Sequence, residues 1–268
     1  MKIQFIIVGW HYDTSVAGEN YIEGLIELLK INDNVSIFWV CHKEPTQIIK
    51  DNFEWGLFPN GEEFVAYEQF YQHKKLDDNT LCFFTHDDII IKKWEFINVC
   101  WELITTHGYK AIGNGANYPS IYDPYERGIP YGNSSRLLPN ELRTYVKESH
   151  QHLFTERMNI KTLRGSFICM LYKDLKEING FEPREDIRIK ISEGRFLPDE
   201  EGKHWYITED GEKEKVSGYG NVIQTTFCYK LVRAFENKSI TYLGNKYLDS
   251  EYIYECGRGG IDPNNPIT

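Results

Sequence analysis

Short apolar runs alternate with helical stripes along the first half of the chain. Ile3 to Val8 is a short apolar run that stops at Gly9, which predicts a strand buried on both faces. The loop WHYDTS follows, where Asp13, Thr14 or Ser15 can cap a helix. Tyr21 to Lys30 then carries Ile22, Leu25, Ile26 and Leu29 at helical spacing. INDN breaks that helix, and Val35 to Cys41 reads as a second buried strand. An opening of strand, helix, strand predicts a parallel sheet with a right-handed crossover.

Farther along, Glu62 to Gln72 reads as a helix, LDDN as a turn, and Leu81 to Thr85 as another buried strand that runs into His86, Asp87 and Asp88. Trp94 to Thr106 is an apolar-striped helix and Lys110 to Ile112 a short strand. The stretch from Asn114 to Asn140 is rich in Gly, Pro, Asn and Tyr, so a long loop is expected over 114–150, of the length that usually serves a function. Gly165 to Tyr172 reads as a strand, followed by the helix KDLKEIN and the stop Gly180. A charged excursion is expected over 184–216, a helix from Tyr219 to Glu236, a last strand from Ser239 to Leu243, and a flexible tail over 255–268. With no repeat and no linker, the pattern favours one α/β domain over 1–268.

Composition narrows the function. Hydrophobic residues make up 41% and the formal charge is −10, which describes a globular chain and argues against a nucleic-acid backbone or an anionic membrane as partner. That charge also means that a site for a diphosphate needs a local cation. The 18 Tyr and 6 Trp fill core and also suit a cleft that binds rings. Cys41, Cys82, Cys100, Cys169, Cys228 and Cys256 form no closely spaced pair of the kind that holds zinc, and several sit inside apolar runs, so buried reduced thiols are expected. The apolar run in MKIQFIIVGW is too short for a signal peptide, and no stretch approaches the ~20 apolar residues that cross a bilayer. The expectation is a soluble cytoplasmic chain, free or peripheral to a membrane.

The sharpest chemical feature is THDDI at the end of a buried strand. In open α/β sheets ligands gather outside the carboxyl ends of the strands. Adjacent acids there are costly unless a cation or a paired group offsets them. Oxygen ligands suit Mg²⁺ or Mn²⁺, and Mg²⁺ takes only one or two protein carboxylates where phosphate and water complete its shell. The plainer alternative is a polar turn that closes the strand, with Asp88 capping the next helix. A phosphohydrolase of the HD type is disfavoured because its His-Asp pair sits on helices, and the eight histidines form no HxH or HExxH cluster.

Four segments, in order, resemble a family-2-like glycosyltransferase with the GT-A fold. FIIVGWHYDT resembles its nucleotide-binding start, PNGEEFVAYEQF its N-x-G segment and following helix, LCFFTHDDIII the strand with its D-x-D metal motif, and LRGSFICMLYKDLKEINGFEP its strand-helix-GGF segment. The resemblance implies a GT-A (nucleotide-diphospho-sugar transferase) fold, with a mostly parallel central sheet flanked by helices. It implies a Mn²⁺- or Mg²⁺-dependent transfer of a sugar from a UDP- or GDP-linked donor to a glycan or lipid-linked acceptor, in surface polysaccharide or glycan synthesis. Asp88 falls on the last position of D-x-D and would bind the metal. His86 replaces the usual first Asp, and Asp87 lies between them, within reach of the donor. Gly9, Trp10 and Asp13 would line the nucleotide pocket, with Asn60 and Gly61 near base or ribose. Arg164 and Gly165 open the strand on the acceptor side, where Arg164 could reach a phosphate or an acceptor carboxylate; the plainer alternative is a surface charge or a pair with a neighbouring acid. The family's usual acid at the end of the second strand is replaced by Cys41 and His42, with Glu44 as a substitute.

In inverting members an Asp or Glu deprotonates the acceptor hydroxyl. NGFEPREDIR offers Glu182, Glu185 and Asp186 for that base, with Asp186 favoured. A different alignment puts the position at GYGNVIQ, where only Asn221 and Gln224 occur, and then Glu209 or Asp210 would serve or the mechanism would be retaining. In the tail, CGRGG offers backbone N–H groups and Arg258 to a diphosphate. Two other classes stay open. One is a sugar-nucleotide nucleotidyltransferase, although GWHYDTSVAG lacks the basic, Gly-rich opening that grips a triphosphate. The other is a non-catalytic nucleotide- or carbohydrate-binding module with a degenerate site.

Overall fold

The computed structural model describes residues 1–9, 16–58, 63–117, 161–181, 196–198, 204–208, 210–216, 227–228, 230–243 and 250–255. The opening pattern forms as expected. Strand β1 (Ile3–Gly9), helix α1 (Val16–Ile31) and strand β2 (Val35–Cys41) make a parallel unit in register from Ile3 with Val35 to Gly9 with Cys41. Helix α2 (Gln47–Asn52) and strand β3 (Glu54–Leu57) follow, and β3 adds parallel to β2. The sequence pattern did not pick out these two short elements. Then come helix α3 (Glu63–His73), strand β4 (Leu81–His86), strand β5 (Ile89–Ile91), helix α4 (Phe96–Thr105) and strand β6 (Ala111–Asn117). Strand β6 therefore runs into the stretch read as the start of the long loop; residues 118–160 lie outside the described residues.

Strand β7 (Lys161–Leu171) starts four residues earlier than the expected strand, and helix α5 (Tyr172–Glu177) closes on Asn179 and Gly180. Its end satisfies the exposed carbonyls in the Schellman manner: Gly180 N–H donates to Leu175 O at 3.0 Å and Asn179 N–H to Lys176 O at 2.9 Å. Both residues have positive φ, 58° at Asn179 and 70° at Gly180. The charged excursion contains a small antiparallel sheet of β8 (Phe196–Pro198), β9 (His204–Ile207) and β10 (Lys213–Val216). Within the expected helix from Tyr219 to Glu236, residues 227–228 and 230–235 are helical, and 219–226 and 229 lie outside the described residues. Strand β11 (Ile240–Tyr242) is not the last one. Strand β12 (Ile253–Glu255) pairs antiparallel with β5, so Glu255, read as the start of the tail, stands opposite Ile89.

The central sheet has seven strands in the order β11-β6-β7-β4-β1-β2-β3. All run one way except β7, which is antiparallel to both neighbours. This is the mostly parallel sheet flanked by helices that the resemblance implies. Each inner strand buries both faces, so its alternate residues go to different layers. Ile6, Val8, Phe38, Val40, Cys82 and Phe84 pack with Phe64, Tyr67 and Phe70 of α3 and with Phe181, Phe227 and Leu231. Phe5, Ile7, Trp39, Leu81 and Phe83 pack on the other face with Tyr21, Leu25 and Leu28 of α1, Ile49 of α2, and Phe96, Cys100 and Ile104 of α4. The described cysteines, Cys41, Cys82, Cys100, Cys169 and Cys228, are buried free thiols, as the apolar runs predict. Among the described residues no helix is long and apolar enough to cross a membrane.

Candidate active site

From β1 the chain moves outward to β2 and β3, then returns to place β4 on the other side of β1. The direction of winding reverses between β1 and β4, and the carboxyl ends at such a reversal form a crevice. Val8 is level with His86 across that boundary, and Gly9 is level with Cys41. The end of the buried strand therefore delivers His86, Asp87 and Asp88 to the crevice beside Gly9. A surface cavity of about 430 Å³ lies at the opposite, amino edge of the sheet, lined by Lys2, Gln4, Ser36, Lys75 and Asp77 among others, and is remote from this chemistry.

Thr85 and His86, neighbours at the end of the strand, point to opposite layers, and Asp87 and Asp88 follow in the bend before β5. Thr85 faces α1, where its Oγ1 lies 2.9 Å from the Tyr21 hydroxyl. His86 faces α3, with Nε2 4.0 Å from Glu63 Oε2. Asp87 is fully buried. Its charge raises the Cys41 thiol, which burial chiefly, then Asp87, then Glu44 push up to about 12. Burial also raises the Tyr21 hydroxyl above its ordinary value. The Thr85 hydrogen bond partly opposes this, and the charges of Asp87 and Asp88 add to it. As placed, Asp87 presents no surface to a donor and acts through its field.

Asp88 is 6% exposed, and its Oδ1 has no hydrogen-bond partner. The His86 Nδ1 lies 3.6 Å from that oxygen. The imidazole of His86 thus stands between two carboxylates, Asp88 and Glu63. Glu63 begins α3, where an acid also favours the helix dipole. Reading the sequence missed it as a site residue. Its signal was position alone, an acid at the first turn of a helix entering from the N-x-G segment.

Gly165 belongs to the same cluster. A Cβ there would stand 2.3 Å from Glu63 Cγ and 2.7 Å from its Oε1, so only glycine lets the β7 backbone approach this closely. The Tyr67 hydroxyl donates to Gly165 O at 2.6 Å, and buried Asn114 donates from Nδ2 to Ser166 Oγ at 2.7 Å. These bonds secure an irregularity in the β6–β7 pairing. The register runs from Gly113 with Ile168 to Gly115 with Leu163, so 164–167 bulge out opposite the single residue Asn114. Bulges of this kind commonly redirect side chains beside a site. Arg164 stands half-buried in this bulge. Gly165→Ala is expected to push Glu63 off His86 and to cost about 1–3 kcal/mol through overpacking. Thermal unfolding measures the cost, and a crystal structure of the variant with Glu63 in place would refute the displacement.

The remaining sequence candidates divide in two. Glu44 is exposed and ion-paired with Lys50 at 2.6 Å, and Asp210 is exposed in the turn between β9 and β10, preceding Gly211 at φ 80°. His42, half-buried, lies with Nδ1 3.3 Å from Phe58 O. Trp10, Asp13, Asn60, Gly61, Glu182, Glu185, Asp186, Glu209, Asn221, Gln224 and Arg258 lie outside the described residues.

Among the described residues no group of three or more His, Cys, Asp or Glu side chains could hold a metal ion. Among the described residues, what this edge offers a cation is the buried Oδ1 of Asp88, with the Nδ1 of His86 beside it. That set fits an ion whose other positions are filled by phosphate and water, and does not fit one that needs an all-protein cage.

No protein-family model matches the chain, and no curated protein matches it. Several solved structures match it at low identity and low TM-score. The mannosyltransferase PcManGT from Pyrobaculum calidifontis, in complex with GDP-Man and Mn²⁺, is 10% identical with a TM-score of 0.40 over 67% of this chain and 47% of that one. The chain thus spans under half the length of that protein. The galactosyltransferase LgtC, in complex with donor and acceptor sugar analogs, is 8% identical with a TM-score of 0.39 over 91% of this chain and 73% of that one. Mannose-6-phosphate isomerase from Helicobacter pylori is 13% identical with a TM-score of 0.39 over 91% of this chain and 98% of that one. None of these likenesses assigns the chain to a family.

Proposed function

We propose that the chain is a glycosyltransferase of the GT-A type, which moves a sugar from a nucleotide-sugar donor to an acceptor hydroxyl with a Mn²⁺ or Mg²⁺ ion at Asp88. The observation that carries this reading is the Asp88 carboxylate oxygen, buried without a hydrogen-bond partner at the carboxyl edge where the sheet's winding reverses. A buried carboxylate kept in that state is costly unless a ligand completes it. Glu63, Asp87 and Asp88 together make the crevice hostile to a diphosphate by itself. A divalent ion there would neutralise the diphosphate and the charge that builds on it as the glycosidic bond breaks.

The chain's own residues supply the rest. Asp88 is proposed to hold the cation, with His86 Nδ1 3.6 Å from Asp88 and its Nε2 4.0 Å from Glu63. Gly9 leaves room at the end of β1 for the nucleotide, with Trp10, Asp13, Asn60 and Gly61 proposed to line its base and ribose. Arg164, in the β7 bulge, is proposed to reach a phosphate or an acceptor carboxylate. Asp186, or Glu185 beside it, is proposed as the base that takes the acceptor proton in an inverting reaction. The acceptor class is a glycan or lipid-linked glycan, in cytoplasmic synthesis of surface polysaccharide.

A thermal-shift screen of UDP-, GDP-, dTDP- and CMP-sugars with and without Mn²⁺ tests this. One nucleotide class is expected to raise Tm by about 5–10 °C at a hundredfold excess over Kd, and only with the cation present. Absence of any cation-dependent shift would overturn the reading. Release of pyrophosphate in place of a nucleoside diphosphate would move it to the nucleotidyltransferases.

A further inference from the structure

Asp87 and Asp88 occupy a bend of two residues between strands with unequal support. Strand β4, before the bend, is paired on both sides, by β1 and β7. Strand β5, after it, pairs among the described residues with β12 alone, in a separate two-stranded ribbon. Ile89, the residue next to Asp88, is fully buried, and so is Ile253 on β12; both belong to the layer that holds Tyr21 and Phe96. Burial of two neighbouring carboxylates, Asp87 fully and Asp88 to 6% exposure, favours release of the bend into water. A bend this short keeps them inside only if both of its ends are fixed.

The ribbon is fastened where β12 begins. Ser250 Oγ accepts from the N–H groups of Tyr252 and Ile253, each at 3.1 Å, and the Ser250 N–H donates to Ile253 O at 3.1 Å. The turn so closed presents one carbonyl, Tyr252 O, to the N–H groups of Lys92, at 2.7 Å, and Lys93, at 3.1 Å. Lys92 Nζ donates to Ser250 O at 3.0 Å. The Lys93–Glu251 ion pair, at 3.0 Å, is exposed and contributes little. What holds β5 is therefore the backbone ladder and the burial of Ile253. The Lys92–Tyr252 pair is of the hydrogen-bonded kind, so the alternation of an antiparallel ladder makes Ile91 with Ile253, and Ile89 with Glu255, the close pairs without mutual bonds. Strand β12 thus runs along β5 as far as the residue next to Asp88.

We propose that β12 is the positioning element of the acid bend, with Ile253 and Ser250 as its positioning residues: they hold β5 in place and, through Ile89, keep Asp88 at the sheet edge in the buried state that receives a cation. The proposal rests on the glycosyltransferase reading for the ligand, a divalent ion with a nucleoside diphosphate. The holding of the bend is tested separately.

Ile253→Ala removes the buried anchor, and Ser250→Ala opens the turn while leaving the core intact. Hydrogen exchange followed by mass spectrometry on the full chain is expected to show amides of 87–91 and 250–255 exchanging about a hundredfold faster in Ile253→Ala, with β1 and β2 unchanged. Ser250→Ala is expected to give a smaller change in the same two segments. With Mn²⁺ present, the Kd for GDP or UDP, whichever the wild type binds, is expected to weaken about tenfold in Ile253→Ala, because the released bend must first be drawn back. The double variant Ile91→Cys with Ile253→Cys supplies the rescue. Such pairs stand about 4.5 Å apart at Cα, within reach of a disulfide that diamide closes. The oxidised form is expected to return exchange over 87–91 and nucleotide affinity to near the wild-type values, and the reduced form to behave as Ile253→Ala. Acceleration confined to 250–255, equal acceleration in β1 and β2, or a cross-link that restores neither property would overturn the proposal. So would unchanged nucleotide affinity despite faster exchange over 87–91, which would leave β12 a structural part only. Binding of neither nucleotide by the wild type with Mn²⁺ would count against the glycosyltransferase reading, and exchange over 87–91 would still decide whether β12 holds the bend.

Discussion

Asp88→Asn is expected to lose the Mn²⁺-dependent nucleotide shift and to lower turnover roughly 10²–10³-fold, while the protein without ligand melts a few degrees higher. The two signs come from one arrangement. Asp88 is 6% exposed, its Oδ1 has no hydrogen-bond partner, and the His86 Nδ1 lies 3.6 Å away, too far for a hydrogen bond. Fully buried Asp87 adds a like charge next along the chain. An amide at 88 removes repulsion and desolvation cost from the empty protein and removes the cation's anchor from the loaded one. A carboxylate that merely closed the strand would behave oppositely, because its loss would destabilise the fold and leave ligand shifts unchanged. Thermal melts with and without Mn²⁺ and nucleotide, on wild type and variant, give both numbers in one experiment. A lower melting temperature for the variant together with an intact nucleotide shift would remove the cation from Asp88.

The second large effect falls on stability. Phe181→Ala is expected to cost about 3–5 kcal/mol, a drop in Tm on the order of 10 °C. Phe181 is fully buried, with ring centroids 5.8 Å from Phe64, 5.7 Å from Tyr67, 5.0 Å from Phe84 and 4.8 Å from Phe227. Four rings from α3, β4 and residue 227 close around it, so their positions limit collapse of the cavity. Ile31→Ala is the contrasting control. Ile31 is 78% exposed at the end of α1, and its loss is expected to stay within about 0.5 kcal/mol. Comparable losses for the two variants would mean that the cluster around Phe181 is not packed as described.

The clearest sequence features were those whose cause is local. Buried strands showed as apolar runs at Ile3–Gly9, Val35–Cys41 and Leu81–His86 because both faces of each are covered. Helix α1 showed through its stripe, and Gly180 ended α5 because the positive φ needed there is a single-residue property. Short elements escaped. Helix α2 spans six residues and β3 four, too few for a period to emerge. Strands β5 and β12 are three residues each and exist through pairing with one another across more than 160 positions of sequence.

The site divides along the same line. By itself the sequence determined that two acids follow a buried strand, and the alternation of that strand sends Thr85 and His86 to opposite layers, because neighbouring side chains on an extended backbone must point to opposite sides. Only the tertiary structure decided what they face. The strand order sets the crevice between β1 and β4, the reversed β7 brings Gly165 against Glu63, and α3 carries Glu63 to within 4.0 Å of His86. These meetings join residues 23 to about 100 positions apart. They follow from which layers pack and in what register, and no periodicity within a single segment encodes that.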